Sequence, residues 1–410
     1  MQKKKSIGQV DPNTFKGKRV FVRVDFNVPQ NEDLSIADDS RIRAALPTIN
    51  LLRGAGARVV LASHLGRPKG KTEKYSLAPV GVRLSELLKS PVKALSDCVG
   101  PSVADAVSNM KDGDVVLLEN VRFYPEEEKN DPDFAKRLAE NEDLYVNDAF
   151  GTAHRAHAST VGVAKYLSPA MAGLLMEKEL KALSEVLDSP GRPFATIIGG
   201  AKVSSKIGVL ENLLQKVDVL IIGGAMAFSF LKSQGKKVGK SLVEDDKLEF
   251  CAKLLEEAKA KGVKVILPVD VICAAEFKTG VPTSVVDVDH IADDQMGLDV
   301  GPETLQAIKT ALAGCKTILW NGPLGAFEIP EFSTATFAVV DLLVELTARG
   351  AKTVIGGGDS VAAIEEKGVD PAKYTHVSTG GGASLEFLEG LELPGVACLD
   401  PAGESVGSRS

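Results

Sequence analysis

Short, nearly continuous apolar runs alternate along this chain with longer stretches of helical spacing. VFVRVDFNV (20–28) is a β-branched run, RIRAALPTINLLRGAG (41–56) has helical periodicity, and ARVVLASHLG (57–66) is the next strand candidate. The same junction returns in KAKGVKVILPVD (259–270) and TARGAKTVIGGGD (347–359), where a helix closes at glycine before a β-branched strand. DVVLLE (114–119), DLYVND (143–148), FATIIGG (194–200), DVLIIGG (218–224) and TILWNG (317–322) are further strand candidates. Their lack of polar alternation fits sheets covered by helices on both faces. A length of 410 residues has room for two such domains. The pattern therefore predicts an α/β protein of two similar-sized, Rossmann-like three-layer α/β/α domains with parallel sheets, joined by a helix and hinge.

AMAGLLMEKELKALSEVLDS (170–189) reads as one helix without an interior breaker, and PGRP (190–193) ends it. The expected division is 1–175, a connecting helix over 176–192, a second domain over 193–392, and a C-terminal segment over 393–410. An ordinary surface helix at 170–189 is the alternative reading. DPAGESVGSRS (400–410) has little to bury and is expected to be a loose tail.

Composition narrows the class. With 44% hydrophobic and 25% charged residues, the chain is neither disordered nor collagen-like. A net charge of −7 argues against a nucleic-acid coat or a membrane-bound polycation. No run approaches the ~18–20 apolar residues of a membrane span. The start, MQKKKSIGQVDP, lacks a secretory apolar stretch, which leaves the organelle open because a transit peptide is removed on import. Cys98, Cys251, Cys273, Cys315 and Cys398 lie far apart with no CxxC pair, as expected in a reducing compartment without a zinc site.

Arginine and glycine divide unevenly. Of 14 arginines, 12 lie at or before Arg192, whereas 26 of 39 glycines follow Gly191. The first half is thus supplied with guanidinium forks for small anions, and the second with close backbone approach for phosphates. Two near-motifs are rejected. GKKVGKS (235–241) has three residues between its glycines where a P-loop needs four, and it reads as a basic turn. GAGAR (54–58) comes after a helix and before a strand, the reverse of a dinucleotide fingerprint.

At expected strand ends the first half places Asp25, Asn27, Arg41, His64, Arg67, Arg122 and Arg155, with His154 and His157 nearby. Ligands of open α/β sheets bind beyond the carboxyl ends of strands, so these groups predict a pocket for an anion with more than one charge. The two histidines have no third metal ligand at suitable spacing. In the second half, GGAKVSSKIG (199–208) follows a strand and opens a helix. Lys202 and Lys206, four apart, are expected to share its face and hold phosphates. IIGGAM, WNGPLGAFE, IGGGDS and STGGGAS add glycine-rich turns. Asp359 is placed to hold a nucleotide's magnesium, and Glu328 to accept a ribose hydroxyl. No HRD…N loop, Ser–His–Asp or Cys–His set is present, which favours transfer without a protein general base.

Taken in order, RVDFNVP, SHLGRP, ENVRF, DAFGTAHRAHAS, GGAKVSSKI, WNGPLGAFE, GGGDS and STGGGAS closely resemble the phosphoglycerate kinase family over about residues 6–397. SLAPV, EEEKNDP and GTAHRAHAS look most like its plastid and cyanobacterial branch. The resemblance implies magnesium-dependent transfer between 1,3-bisphosphoglycerate with ADP and 3-phosphoglycerate with ATP. Asp25, Asn27, Arg41, His64, Leu65, Gly66, Arg67, Arg122 and Arg155 would bind 3-phosphoglycerate on the N-terminal domain. Gly200, Lys202, Lys206, Gly223, Gly224, Gly297, Asn321, Pro323, Glu328, Gly357, Gly358, Asp359 and Ser360 would bind the nucleotide. Arg41, Lys202 and Lys206 would carry the transfer, and Gly380, Gly381 and Gly382 would form a hinge or phosphate turn. Ser360 stands where the family has Thr or Ser, and Ala326 where Val is common; neither removes a polar contact. The implied protein is a monomer of the chloroplast stroma or cytoplasm, working in glycolysis or carbon fixation, with no nucleic-acid or membrane partner. Another small-molecule kinase or ligase would need a different acceptor set, and a non-catalytic relative would be expected to have lost Lys206, Asp359 or Arg41.

Overall fold

The first β-branched run forms β1 (Arg19–Arg23), in which Val20, Phe21 and Val22 are all fully buried. A strand buried on both faces gains about 1.5–3 kcal/mol per large apolar side chain, which explains the absence of polar alternation. The computed structural model describes residues 3–403. It divides into two units, residues 1–181 with 392–410, and residues 182–391.

In the first unit α1 (Ser40–Gly54), β2 (Arg58–Ala62), α2 (Ala78–Leu88), β3 (Val92–Ala94), α3 (Pro101–Ser108), β4 (Val115–Leu117), α4 (Pro132–Leu138), β5 (Leu144–Asn147) and β6 (Ala170–Ala172) follow β1. The six strands are parallel in the order β3-β4-β2-β1-β5-β6. Val20, Val22, Ile42, Ile49, Val59, Leu61, Leu117 and Val146 build the core between this sheet and its helices. Because β2 and β5 flank β1, the loops after these three strands open at one edge, with Arg23 opposite Ala62 and Asn147 in register.

The helix expected over 170–189 is corrected at its start. Ala170–Ala172 pair with β5 as an edge strand, and α5 (Leu174–Asp188) begins only after Gly173. The buried Asp148 carboxylate decides this boundary, since its Oδ1 accepts from the backbone N–H groups of Leu175 and Met176 at 2.9 and 3.1 Å. Near the C-terminus, Lys5 N–H donates to the Asp400 carbonyl at 2.8 Å and Ala170 N–H to the Asp400 carboxylate at 3.0 Å. Pro401 bridges to Lys4 and Ala402 N–H donates to the Lys3 carbonyl at 2.8 Å, so residues 400–402 are anchored where a loose tail was expected, and residues 404–410 lie outside the described residues.

The second unit contains β7 (Phe194–Ile198), α6 (Ile207–Leu214), β8 (Val219–Ile222), α7 (Met226–Ser233), α8 (Leu248–Lys261), β9 (Lys264–Ile266), β10 (Asp270–Ala274), β11 (Ser284–Asp287) and β12 (Met296–Val300). It continues with α9 (Pro302–Leu312), β13 (Thr317–Asn321), α10 (Thr334–Ala348), β14 (Lys352–Gly356), α11 (Gly358–Glu366), β15 (His376–Val377) and α12 (Gly382–Leu388). Its main sheet is parallel, in the order β15-β14-β13-β7-β8-β9. Buried Trp320, Ile197, Ile221, Val339, Leu343 and Ile355 share its core. The antiparallel sheet β11-β10-β12 was not foreseen. Its outer strand β11 is largely exposed, so it lacks the apolar run that marks the parallel strands. The rejected P-loop segment is a turn, as expected, with Lys236 paired to Asp289 at 2.5 Å.

Candidate active site

Loops after β1, β2, β4 and β5 bring a dense set of cations together in the first unit. After β1, Asn27 N–H donates to Asp25 Oδ1 at 3.2 Å, and the other Asp25 oxygen accepts from Arg41 Nη1 at 2.8 Å. The Asn27 side-chain oxygen accepts from Gly66 N–H at 2.8 Å, tying the β1 loop to the β2 loop. Ser63 strengthens that tie by accepting from Phe26 N–H at 2.9 Å. After β4, Arg122 Nη1 donates to the Gly66 carbonyl at 2.9 Å, and its Nε lies 3.3 Å from Glu128. After β5, Arg155 Nε is 3.2 Å from His154 Nε2. Arg67 is exposed, whereas His64 is buried.

The field at this edge is strongly positive. Burial pushes His64 well below the usual histidine range, and the charges of Arg23, Arg122 and Arg41 push it further. His157 is lowered to about 4 by burial, with Arg122, Arg23 and Arg155 adding to the effect. Both rings are therefore neutral near pH 7 while the guanidinium groups remain charged. This set can hold an anion of more than one charge.

In the second unit the corresponding edge lies where β13 and β7 adjoin and the strand order reverses. Gly199 N–H donates to the Asn321 carbonyl at 2.9 Å and Gly200 N–H to the Pro323 carbonyl at 3.1 Å. A Cβ on Gly199 would stand 2.0 Å from the Pro323 oxygen, so only glycine permits the two loops to meet. Beside them is a cavity of about 470 Å³ lined by glycine backbone (Gly200, Gly224, Gly297) and apolar side chains (Phe228, Val271, Leu324). Lys240, Pro323, Glu328 and Asp359 also reach its wall. Gly297 is required by packing, since a Cβ there would lie 2.1 Å from Phe228 Cζ.

Lys206 Nζ donates to Asn321 Oδ1. Burial lowers its pKa, and the carboxylates of Asp359 and Glu389 oppose that shift. The expectation that Lys202 and Lys206 share a helix face is corrected. Val203–Ser205 form a 3-10 turn, Lys206 caps it, and α6 starts only at Ile207. Lys202 is exposed while Lys206 is half-buried, so the lysines stand in different environments. Ser360 uses its hydroxyl to accept from Gly322 N–H at 2.7 Å, a loop-supporting contact. Gly357 precedes α11, Gly358 and Asp359 begin it, and Gly223 and Gly224 follow β8. Gly381 caps α12, Gly382 opens it, and Gly380 N–H donates to Ser378 Oγ at 3.1 Å.

A comparison with known proteins decides the family. The phosphoglycerate kinase profile matches residues 10–391. The chain belongs to the phosphoglycerate kinase family. It is 58% identical over 402 residues to a cytosolic phosphoglycerate kinase of Nicotiana tabacum, covering 98% of this chain and 100% of that one. A chloroplastic phosphoglycerate kinase of Volvox carteri is likewise 58% identical, over 97% of this chain and 86% of its own. Identity thus does not separate a plastid branch from a cytosolic one. Among solved structures, phosphoglycerate kinase from Coxiella burnetii superposes with a TM-score of 0.87 at 42% identity, covering 96% of this chain and 98% of that one. Membership makes the chain a phosphotransferase and accounts for its two α/β units.

The family resemblance implies magnesium, carried with a nucleotide. Among the described residues no cluster of three His, Cys, Asp or Glu side chains forms a self-sufficient metal site. Magnesium usually takes one or two carboxylates and completes its shell with water and phosphate oxygens. Asp359, exposed on the cavity wall and close enough to Lys206 to act on its charge, fits that need. Asp299 lines the same cavity, but burial raises it to about 7 and its oxygens accept from Val300 and Ala335 N–H groups.

Two features escaped the sequence reading. Arg23 is fully buried in β1, and Glu127 is fully buried beneath the arginine loops. The first was legible as a charge inside a β-branched run with no turn beside it. The second was hidden within the acidic stretch EEEK, which reads as solvated surface.

Proposed function

We propose that this phosphoglycerate kinase catalyses the reversible, magnesium-dependent transfer 1,3-bisphosphoglycerate + ADP ⇌ 3-phosphoglycerate + ATP. The observation that supports it most is the arginine cluster at the strand ends of one unit, in a chain whose other unit has a glycine-lined cavity and a half-buried lysine, Lys206, close enough to the cavity's Asp359 to feel its charge. In this reading residues 1–175 bind 3-phosphoglycerate, 193–392 bind the nucleotide, 176–192 form the hinge, and 393–410 close the chain. Asp25, Asn27, His64 and Arg122 seat the substrate, and Arg67 and Arg155 anchor its far charge. Lys202, Lys206 and Asn321 bind phosphates, and Glu328 accepts from ribose.

The phosphoryl acceptor is a carboxylate, already ionised at pH 7, so no proton has to be removed. That agrees with a site whose histidines are held neutral rather than paired with a nucleophile. What the chain must supply is positive charge for the equatorial oxygens of the moving group, from Arg41, Lys202 and Lys206. Magnesium, when bound through Asp359 with the nucleotide, neutralises phosphate charge. Ligands held by separate units must be brought into line, so turnover requires closure, with bending at the 176–192 helix and the 380–382 turn. Closure also excludes water that would hydrolyse the acyl phosphate.

A monomer suffices for this chemistry. Among the described residues no helix is long and apolar enough to cross a membrane, and the stroma or cytoplasm is the proposed location. The test is ADP formation from ATP with 3-phosphoglycerate, with and without magnesium. ADP release that does not depend on 3-phosphoglycerate would refute this function.

A further inference from the structure

Beneath the arginine loops lies a chain of buried polar groups that substrate does not need to touch. Arg23 is 0% exposed. Its Nε donates to Ser159 Oγ at 2.7 Å, its Nη1 donates to the Val24 carbonyl, and its Nη2 lies 3.2 Å from His64 Nδ1. Ser159 in turn donates its hydroxyl proton to Glu127 Oε1 at 2.5 Å, and the other Glu127 oxygen accepts from Ser159 N–H at 2.9 Å. Glu127 is also 0% exposed. A buried carboxylate and a buried guanidinium are thus joined through one hydroxyl, with the histidine at the far end.

Donor and acceptor chemistry then fixes the ring. A guanidinium has five N–H donors and no acceptor, so the nitrogen it faces must offer a lone pair. Nδ1 of His64 is therefore unprotonated and the proton of the neutral ring sits on Nε2, for which no acceptor is present among the described residues. We propose that Arg23 is a positioning residue of the anion site: it holds His64 as the neutral Nε2–H form whose single donor is offered to the ligand, and Glu127 holds Arg23 through Ser159. This rests on the 3-phosphoglycerate reading only for the identity of the ligand.

Burial is the strongest influence against a protonated ring. Arg23 on β1, Arg122 after β4 and Arg41 on α1 add to it, while His157 after β5 faces the same cluster as a neutral ring. Asp25, two residues after Arg23, is engaged by Arg41 at 2.8 Å. Glu127 lies on the far side of Arg23, behind Ser159. A neutral donor lets the site bond an anion directly without adding a further buried charge to the guanidinium cluster.

The test is long-range proton–nitrogen NMR on the full chain with ¹⁵N-labelled histidine and no ligand, with His64 assigned by its loss in His64→Gln. The expected result is a protonated Nε2 and a bare Nδ1 that do not titrate between about pH 5 and 8. A ring protonated on Nδ1, or one that becomes imidazolium in that range, overturns the role of Arg23 whatever the ligand is. In the pair variant Arg23→Met with Glu127→Gln, which leaves no uncompensated buried carboxylate, both tautomers should be populated. The Michaelis constant for 3-phosphoglycerate should rise roughly tenfold, with a smaller change in turnover. Arg23→Lys, still able to donate to Nδ1, should recover part of both effects. A folded pair variant with an unchanged tautomer and Michaelis constant would overturn the proposal. A correctly fixed ring whose Nε2 signal ignores added 3-phosphoglycerate would instead refute the substrate reading.

Discussion

Replacing Arg41 separates charge development from simple binding. Its Nη1 donates to Asp25 at 2.8 Å, and its remaining N–H groups make no hydrogen bond among the described residues. The Arg41 side chain is 38% exposed and that of Asp25 13%, so solvent screens the pair. Such a pair is worth at most about 1 kcal/mol. Arg41→Ala should therefore fold normally, with a melting shift of no more than about 2–4 °C. If Arg41 reaches the moving phosphoryl group only on closure, its contribution appears in the transition state. Losing one donor of that kind costs about 2.7–4 kcal/mol, or ~10²–10³ in turnover. Arg41→Lys should recover only part, because an ammonium keeps the charge and loses the planar fork. The assay is steady-state turnover beside calorimetric binding of 3-phosphoglycerate and ATP to the same preparation. Binding of 3-phosphoglycerate weakened by as large a factor as turnover would make Arg41 a ground-state clamp and refute this reasoning.

Two further outcomes are expected. Burial raises Asp148 to about 7, against the hydrogen bonds from Thr48, Met176 and Leu175. A raised folded-state value means that its stabilising contribution is complete below about pH 4 and is lost as pH rises through 7, so Asp148→Asn should gain more than about 1 kcal/mol on wild type between pH 5 and pH 8; denaturant midpoints at the two pH values measure this, and a constant difference would contradict it. Burial lifts the thiols of Cys98 and Cys315, and takes Cys251 to about 12 and Cys273 to about 11, so none is a thiolate at neutral pH. Single changes of these four to Ser or Ala, and of Cys398, should keep turnover within about tenfold of wild type.

Legibility in the sequence followed local physics. Parallel strands buried on both faces announced themselves: β2, β7, β8, β13 and β14 fall within the runs that predicted them, and β1 starts one residue ahead of its run. The glycine closures did so too, with α8 ending at Lys261 and Gly262 at φ +71°. What failed depended on distant partners. AMA at 170–172 has no period of its own and becomes a strand because β5 and the Asp148 cap are there to receive it. The lysines at 202 and 206 have helical spacing, but Val203–Ser205 form a 3-10 turn, Lys206 reaches the distant Asn321, and α6 begins only at Ile207. Arg23 and Glu127 are the sharper case, because each is tolerable when buried only through the other's chain of contacts.

The uneven arginine count gains its meaning from position along the strands. In the first unit Arg19 and Arg58 start strands β1 and β2 and are neutralised there by Asp143 and Asp112. Arg23, Arg122 and Arg155 lie at or beyond carboxyl ends, where helices and loops leave an edge for a ligand, and Arg41 reaches the same edge from α1. The second unit has only Arg192 and Arg349. Arg192 precedes β7 and pairs with Asp218 at 2.6 Å, while Arg349 precedes β14 and pairs with Glu345. Neither stands at the glycine-rich edge. A small, multiply charged anion has no length along which to spread contacts, so its site needs converging forks. The cavity of the second unit offers instead glycine backbone together with apolar walls such as Phe228 and Leu324, the surface that an extended ligand with phosphates and a flat ring would use. Two sheets of similar build thus present different chemistry at their strand ends, converging guanidinium groups in one and glycine backbone with apolar walls in the other.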